Sequence, residues 1–173
     1  IDLEFFNKFK QAKSTQPTFL WNHRHEHDKN PDDFFKALQT LSLEGFDFNL
    51  IVVGKSYKQS PKIFTDARDS LSKHIVHWGY TESREDYAKL LCQSTHLPVT
   101  SRHDFFGQSV LEAAYCGVLP ILPRRLAYPE HFEGSNALFY SGQDDFFQHL
   151  RRIAEGESRT GSFDYLYDRY DWT

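Results

Sequence analysis

The chain has 173 residues, 39% of them hydrophobic and 25% charged, which suits one globular domain with a real core and excludes a disordered chain. A formal net charge of -4 argues against non-specific nucleic-acid binding by this chain alone, while leaving room for a local basic cleft. No apolar run approaches the roughly 18 residues that span a bilayer, and no signal peptide is visible, so no membrane partner is expected.

Methionine is absent, even from position 1, so the sequence reads as a piece of a longer chain. The opening "IDLEFFNKFKQ" within residues 1–17 is then a linker or helix arriving from a missing N-terminal domain. From residue 18 onward, strand-like and helix-like segments alternate. "TFLWNH" (18–23) is an apolar strand. "NPDDFFKALQTLSLEG" (30–45) is a helix in which Asn30 can cap, Pro31 fits the first turn, and Asp32 and Asp33 favour the positive end. Phe34, Leu38 and Leu41 share its apolar face. "FNLIVVG" (48–54) is a buried strand, residues 61–73 a helix and "HIVHWG" (74–79) a strand. Residues 83–94 form a helix with Tyr87, Leu90 and Leu91 toward the core. "HLPVTS" (96–101) is a strand, 108–117 a helix closed by Gly117, "LPILP" (119–123) a strand, "ALFY" (137–140) the last strand and 144–155 a helix. Cys92 and Cys116 fall inside apolar helical patterns and read as buried free thiols of a reduced, cytoplasmic compartment.

Six apolar runs separated by helices predict an α/β domain over residues 18–160: a Rossmann-like parallel sheet of about six strands with helices on both faces. The aromatic tail 161–173 reads as a C-terminal helix with Phe163, Leu166 and Tyr170 on one face. It packs either toward a missing domain or onto this domain's own core.

Ligands in such sheets bind outside the carboxyl ends of the strands, and the unusual residues of this chain fall in the loops expected there. "NHRHEHDKN" (22–30) carries Arg24 and Lys29 five apart across a strand-to-helix turn. The pair suits an anion, an arginine fork beside a lysine point charge; a solvated charged loop is the other reading. His23, His25 and His27 share that loop. Three histidines on one loop beside two cations make a poor metal pocket, so no metal is expected.

"RHDFFGQSVLEAAYCG" (102–117) places Asp104 and Glu112 on either side of Gly107. Unsatisfied backbone N–H groups of Gly107, Gln108 and Ser109 can hold a phosphate or sugar oxygens, and glycine lets a ligand approach closely. Glu112 suits paired hydroxyls such as a ribose, and Asp104 another polyol. Against this stands the plainer reading of two acids stabilising a helix start. There is no G-x-S-x-G elbow and no phosphate loop of the G-x-x-x-x-G-K-[ST] type.

Arg24 and Lys29, followed by "FFG" and the acid–seven–acid spacing of Asp104 and Glu112, resemble the C-terminal domain of retaining GT-B glycosyltransferases. "WNHRHEHDKNP", "HDFFGQSVLEAAYCG", "LPRRLAYPE" and "DYLYDRYDW" are similar to the tRNA-queuosine alpha-mannosyltransferase family, over residues 18–172. The resemblance implies a hexosyltransferase that takes a nucleotide sugar, GDP-mannose, as donor and tRNA queuosine as acceptor, with no cofactor required. It implies that Arg24 and Lys29 hold the donor diphosphate and act with Asp104 in catalysis. Glu112 would bind the ribose, Phe106, Gly107 and Gln108 would offer backbone groups, Asp104 would contact sugar hydroxyls, and Tyr80 would lie near the base, with His103 the loosest of the set. The family's first acid is usually glutamate; here Asp104 is one methylene shorter. Another nucleotide sugar with a glycan or lipid acceptor, a non-catalytic nucleotide-sugar-binding module and a plain α/β interaction module are the rival readings.

Overall fold

A computed structural model describes residues 1–157 and 161–171. The expected boundary at residue 160 and the last two residues of the tail lie outside the described residues. Six strands form one sheet: β1 (Thr18–Trp21), β2 (Asn49–Val53), β3 (Ile75–Gly79), β4 (His96–Pro98), β5 (Leu119–Pro123) and β6 (Leu138–Tyr140). Every pairing is parallel and the order is β3-β2-β1-β4-β5-β6. The fold is therefore the Rossmann-like α/β sheet that the alternating pattern predicts.

Parallel strands need crossovers, and the helices supply them. These are α2 (Pro31–Leu43), α3 (Ile63–Ser70), α4 (Arg84–Gln93), α5 (Gln108–Tyr115) and α6 (Tyr128–Phe132), while α7 (Gln143–Ala154) follows the last strand. Two further helices, α1 (Glu4–Asn7) and α8 (Tyr165–Tyr170), lie at the two ends of the chain. The central strands are buried throughout: all four residues of β1 and all five of β5 are inaccessible. Around them Trp21, Phe34, Phe35 and Phe64 pack as an aromatic cluster with ring centroids 4.9–5.8 Å apart. Phe163 and Leu166 of the tail are buried in the same core, so α8 finishes this domain. Cys92 and Cys116 are buried and free.

Three local expectations change. The helix read over residues 61–73 stops at Ser70 and tightens into a 3-10 turn, Ser72–His74, before β3. Asn30 precedes α2 but does not cap it by accepting a bond. Its backbone sits in the left-handed region at φ 51°, ψ 58°, a conformation asparagine tolerates better than most residues, and its Nδ2 donates to Asp33 Oδ2 at 2.7 Å. Helix α6 has no counterpart in the sequence pattern, because five residues are too few for a periodicity to register.

Candidate functional site

The strand order reverses direction of winding between β1 and β4, and the crevice outside their carboxyl ends is where such sheets take ligands. The loops after these two strands are the two charged motifs of the sequence. They are tied together: Arg102 N–H donates to the Asp28 carbonyl at 2.8 Å, and the Thr100 hydroxyl lies 3.0 and 2.8 Å from the carbonyls of Lys29 and Asn30.

Lys29 is the buried centre of the junction, 8% exposed. Its Nζ donates to the His103 carbonyl at 2.9 Å, while the carboxylates of Asp28 and Asp104 stand 3.9 Å away. Those two distances are ion pairs without hydrogen bonds, so the ammonium, with three donors, keeps donor capacity for an anion. Arg24 is different. It lies exposed on the wall of a cavity of about 660 Å³, within the size range of ligand pockets, and its pair with Glu26 at 3.6 Å is open to water and weak. Tyr80, also exposed, lines the same cavity with Asn22, Gly54 and Tyr87. The backbone passes close here: a Cβ on Gly54 would stand 2.9 Å from the His23 carbonyl oxygen.

The turn before α5 is built around Asp104. Its Oδ1 accepts the Gly107 N–H at 3.0 Å and its Oδ2 accepts the Tyr128 hydroxyl at 2.9 Å. Gly107 has φ +79°, and a Cβ there would meet Tyr128 Cε1 at 3.2 Å, so both backbone and space call for glycine. Among the described residues no side chain caps α5, which leaves the N–H groups of Gln108 and Ser109 available to a ligand. One turn on, Glu112 Oε1 accepts from Gln108 Nε2 at 3.0 Å and Oε2 from the Tyr87 hydroxyl at 3.2 Å; burial pushes its carboxyl up.

Asn22 stitches the two halves, donating to the Tyr87 hydroxyl at 3.2 Å and to the Ser109 carbonyl at 3.0 Å. His23 Nδ1 lies 3.1 Å from Ser109 Oγ. Burial holds His23 neutral, its pKa lowered to about 4, with the nearby Lys29 charge acting in the same direction. His25 stacks on Phe64 with centroids 4.0 Å apart, while His27 is exposed. Among the described residues no three His, Cys, Asp or Glu are grouped as metal ligands would be. Asn22 Oδ1 and His23 Nε2 are buried without a hydrogen-bond partner among the described residues, an unusual condition that a bound ligand could relieve.

The expected site residues thus gather around one crevice, in two parts. Arg24 and Tyr80 line the cavity. Lys29, Asp104, Phe106, Gly107, Gln108 and Glu112 surround the adjoining turn, and His103 enters through its carbonyl, but the Gly107 N–H and the Phe106 carbonyl, expected to face a ligand, are taken by Asp104 Oδ1 and His131 Nε2 because the turn closes on its own side chains. Asn22, Tyr87, Tyr128 and His131 also bond to this turn, and no local signal in the sequence marks them. Tyr87 packs against the core as its helical spacing predicts, but periodicity says nothing of where a hydroxyl ends.

Comparison with known proteins follows the same line. The family described as glycosyl transferases group 1 matches residues 4–160. A tRNA-queuosine alpha-mannosyltransferase of Drosophila melanogaster is 39% identical over 117 residues, 68% of this chain; the aligned part is 31% of that relative's length. The crystal structure of the C-terminal domain of a glycosyl transferase group 1 family protein, LpcC, from Francisella tularensis superposes with a TM-score of 0.75 at 14% identity, covering 100% of both chains. WaaG, a glycosyltransferase involved in lipopolysaccharide biosynthesis, superposes at 0.68 with 18% identity over 98% of this chain and 46% of its own. At such identities the structures establish the fold, the C-terminal half of GT-B, and the sequence match establishes kinship: the chain belongs to the glycosyl transferases group 1 family.

Proposed function

We propose that this chain is the donor-binding half of a retaining glycosyltransferase that transfers mannose from GDP-mannose to queuosine in tRNA. The observation that carries the donor half is the Lys29 ammonium: buried, bonded to one carbonyl among the described residues, with spare donors at the β1/β4 crevice, near the start of α5. The name of the Drosophila relative supports the sugar and the acceptor. The chain matches only part of that relative, so the acceptor is assigned chiefly to the remainder of the full-length protein. Burial of both free thiols suits a reducing cytoplasm, and no helix among the described residues is long and apolar enough to cross a membrane.

In this reading the bond from the anomeric carbon to the diphosphate oxygen breaks and its electron pair leaves with the diphosphate. The acceptor hydroxyl oxygen bonds to the same carbon from the same face, and its proton passes to the departing phosphate. Negative charge grows on the leaving group, where Lys29, Arg24 and the first N–H groups of α5 stabilise it. No metal is required, since two cations neutralise the diphosphate. Glu112 accepts from the ribose hydroxyls and Tyr80 lies against the base. Asp104 keeps lone pairs for a sugar hydroxyl beyond the two bonds it already accepts.

The test is calorimetric titration of the full-length protein with GDP-mannose beside UDP-glucose, then transfer onto queuosine-containing tRNA. Preferred binding of GDP-mannose and mannose on the tRNA are expected. A preference for UDP-glucose replaces the donor; binding without turnover on any acceptor reduces the chain to a nucleotide-sugar-binding module. The isolated chain should be inactive or nearly so, and full-rate transfer by it would overturn the two-domain picture.

A further inference from the structure

Helix α6 grips the turn that starts α5. Tyr128 and His131 are three apart, on one face of α6. The Tyr128 hydroxyl holds Asp104 Oδ2 at 2.9 Å, and His131 Nε2 lies 2.7 Å from the Phe106 carbonyl oxygen. A carbonyl only accepts, so Nε2 carries the proton. In the neutral ring Nδ1 is then the acceptor, and the Tyr170 hydroxyl, 2.5 Å away, donates to it. The partners alone fix the tautomer of this buried histidine.

The consequence lies in one peptide plane. In a trans peptide the C=O and N–H point in opposite directions. The Phe106–Gly107 peptide is held at both: its oxygen by His131, its N–H by Asp104 Oδ1 at 3.0 Å. Its rotation sets the direction in which α5 begins, and with it the aim of the next N–H groups, on Gln108 and Ser109. The Phe106 ring adds shape to the clamp, standing edge-on to His131 at 5.1 Å and to Tyr170 at 5.6 Å.

Tyr170 belongs to α8, which is fastened to α6 twice more. The Tyr165 hydroxyl donates to the His131 carbonyl at 2.7 Å, and Arg169 donates to the Glu130 carbonyl at 3.1 Å. Beyond Tyr170, Asp171 Oδ1 accepts the Leu3 N–H just before α1 at 2.7 Å. Hydrogen bonds therefore run from the α1–α8 layer through His131 to the turn at Gly107.

We propose that His131 and Tyr170 are positioning residues for glycosyl transfer: they orient the Phe106–Gly107 peptide so that the first N–H groups of α5 meet the charge growing on the departing diphosphate. The inference rests on the glycosyltransferase reading above. An aim that matters most as charge develops appears in kcat rather than in donor KM.

The full-length protein separates this from plain packing through three variants. His131→Leu fills much of the space with an apolar side chain and loses both ring nitrogens; His131→Gln restores a side-chain N–H for the Phe106 carbonyl; Tyr170→Phe keeps the ring and loses the hydroxyl. His131→Leu should lower kcat roughly 30-fold with donor KM changed by less than about 3-fold, since one misdirected oxyanion-type donor costs on this order or more. His131→Gln should recover most of that kcat, and Tyr170→Phe should fall between wild type and His131→Leu. Equal kcat in the Leu and Gln variants, or wild-type kcat in His131→Leu, overturns the positioning role. Should His131→Leu fail to fold, Tyr170→Phe and His131→Gln decide alone: wild-type kcat in Tyr170→Phe, or a Gln variant that folds but is inactive, overturns it. A wild-type protein that transfers sugar from no nucleotide sugar overturns the glycosyltransferase reading itself, before any variant is compared.

Discussion

Two lysines lie partly or wholly buried at opposite ends of the sheet, and their hydrogen bonds differ. Lys13, at the amino end of the strands, donates to the carbonyls of Cys92 and Cys116 at 2.6 and 2.8 Å. These oxygens lie at the C-termini of α4 and α5, where helix dipoles gather negative charge, so the ammonium caps two helices at once. Lys29, at the carboxyl end, donates to one carbonyl and faces two carboxylates at 3.9 Å, too far for hydrogen bonds. The first cation uses two of its three donors on the fold; among the described residues the second uses one and keeps two. Under the proposed function, the less fully bonded of the two charges lies at the end of the sheet that meets the donor.

Acid gives the coarsest test of that contrast, and the largest effect, because it acts on both ends. Burial lowers the pKa of His23 and His25 at the carboxyl end, and of His96 at the amino end, to about 4 each. Their ordinary value is 6.5, so between pH 6.5 and 4 the unfolded chain binds more protons than the folded one. The stability they permit is complete above pH 6.5 and is lost as pH falls through that window. Three such groups give a slope approaching about 4 kcal/mol per pH unit in its steepest part. Urea midpoints measured from pH 7 to pH 4.5 should fall steeply, and His25→Phe, which keeps the stack on Phe64, should flatten the slope by about a third. A midpoint indifferent to pH would mean these rings are more solvated than their packing implies.

Next in size is Lys29→Ala. Losing a charged donor from the leaving-group side should lower kcat/KM roughly 100-fold in the full-length protein, about 3 kcal/mol of transition-state stabilisation. Donor titration should weaken with it. Undiminished donor binding would remove the diphosphate assignment and with it the functional half of the contrast.

Much of this layout was legible in the chain and some was not. Alternating apolar runs gave the six parallel strands, because strands buried on both faces must be apolar whatever the ligand. Arg24 and Lys29 stand out as two cations on one strand-to-helix loop, and Asp104 and Glu112 as two acids on either side of Gly107, at the end of the sheet where such folds take ligands. Lys13 did not stand out. Residues 1–17 read as a linker, and nothing local to Lys13 shows two helix ends folding over it from 79 and 103 residues away. His131 was hidden for the same reason: its partners, Phe106 and Tyr170, are 25 and 39 residues distant, and its helix is five residues long. Pattern reports faces and ends. Long-range polar contacts emerge only when the chain is folded.

Lys13→Met sharpens the other half of the contrast. The methionine stem fills most of the space but leaves two helix-terminal carbonyls without their cation. Charge-assisted bonds of this kind contribute about 1.5–3 kcal/mol each when buried, and partial exposure reduces that, so about 2 kcal/mol is expected in all. The melting temperature should drop by roughly 4–8 °C for a domain of this length. Donor affinity and kcat should stay near wild type once the protein is folded. The two lysines would then dissociate cleanly, one variant losing stability and the other losing chemistry. A Lys13→Met protein that melts normally but binds donor poorly would reverse the roles assigned here.

The smallest effect expected is that of Tyr87→Phe, and it probes how far the carboxyl end is preorganised. The hydroxyl accepts from Asn22 Nδ2 and donates to Glu112 Oε2, each at 3.2 Å, and burial raises its pKa well above the ordinary value, so it stays a donor at neutral pH. Phenylalanine keeps the ring's place against Phe6 and on the cavity wall while freeing the Glu112 carboxylate. Glu112 would grip the ribose equally in the bound donor and in the transition state. Loosening it should therefore weaken donor binding by about 1 kcal/mol, roughly 5-fold, and leave kcat alone. A fall in kcat with binding intact would place Glu112 nearer the breaking bond than the nucleotide end, and would move the division of labour along α5 by one turn.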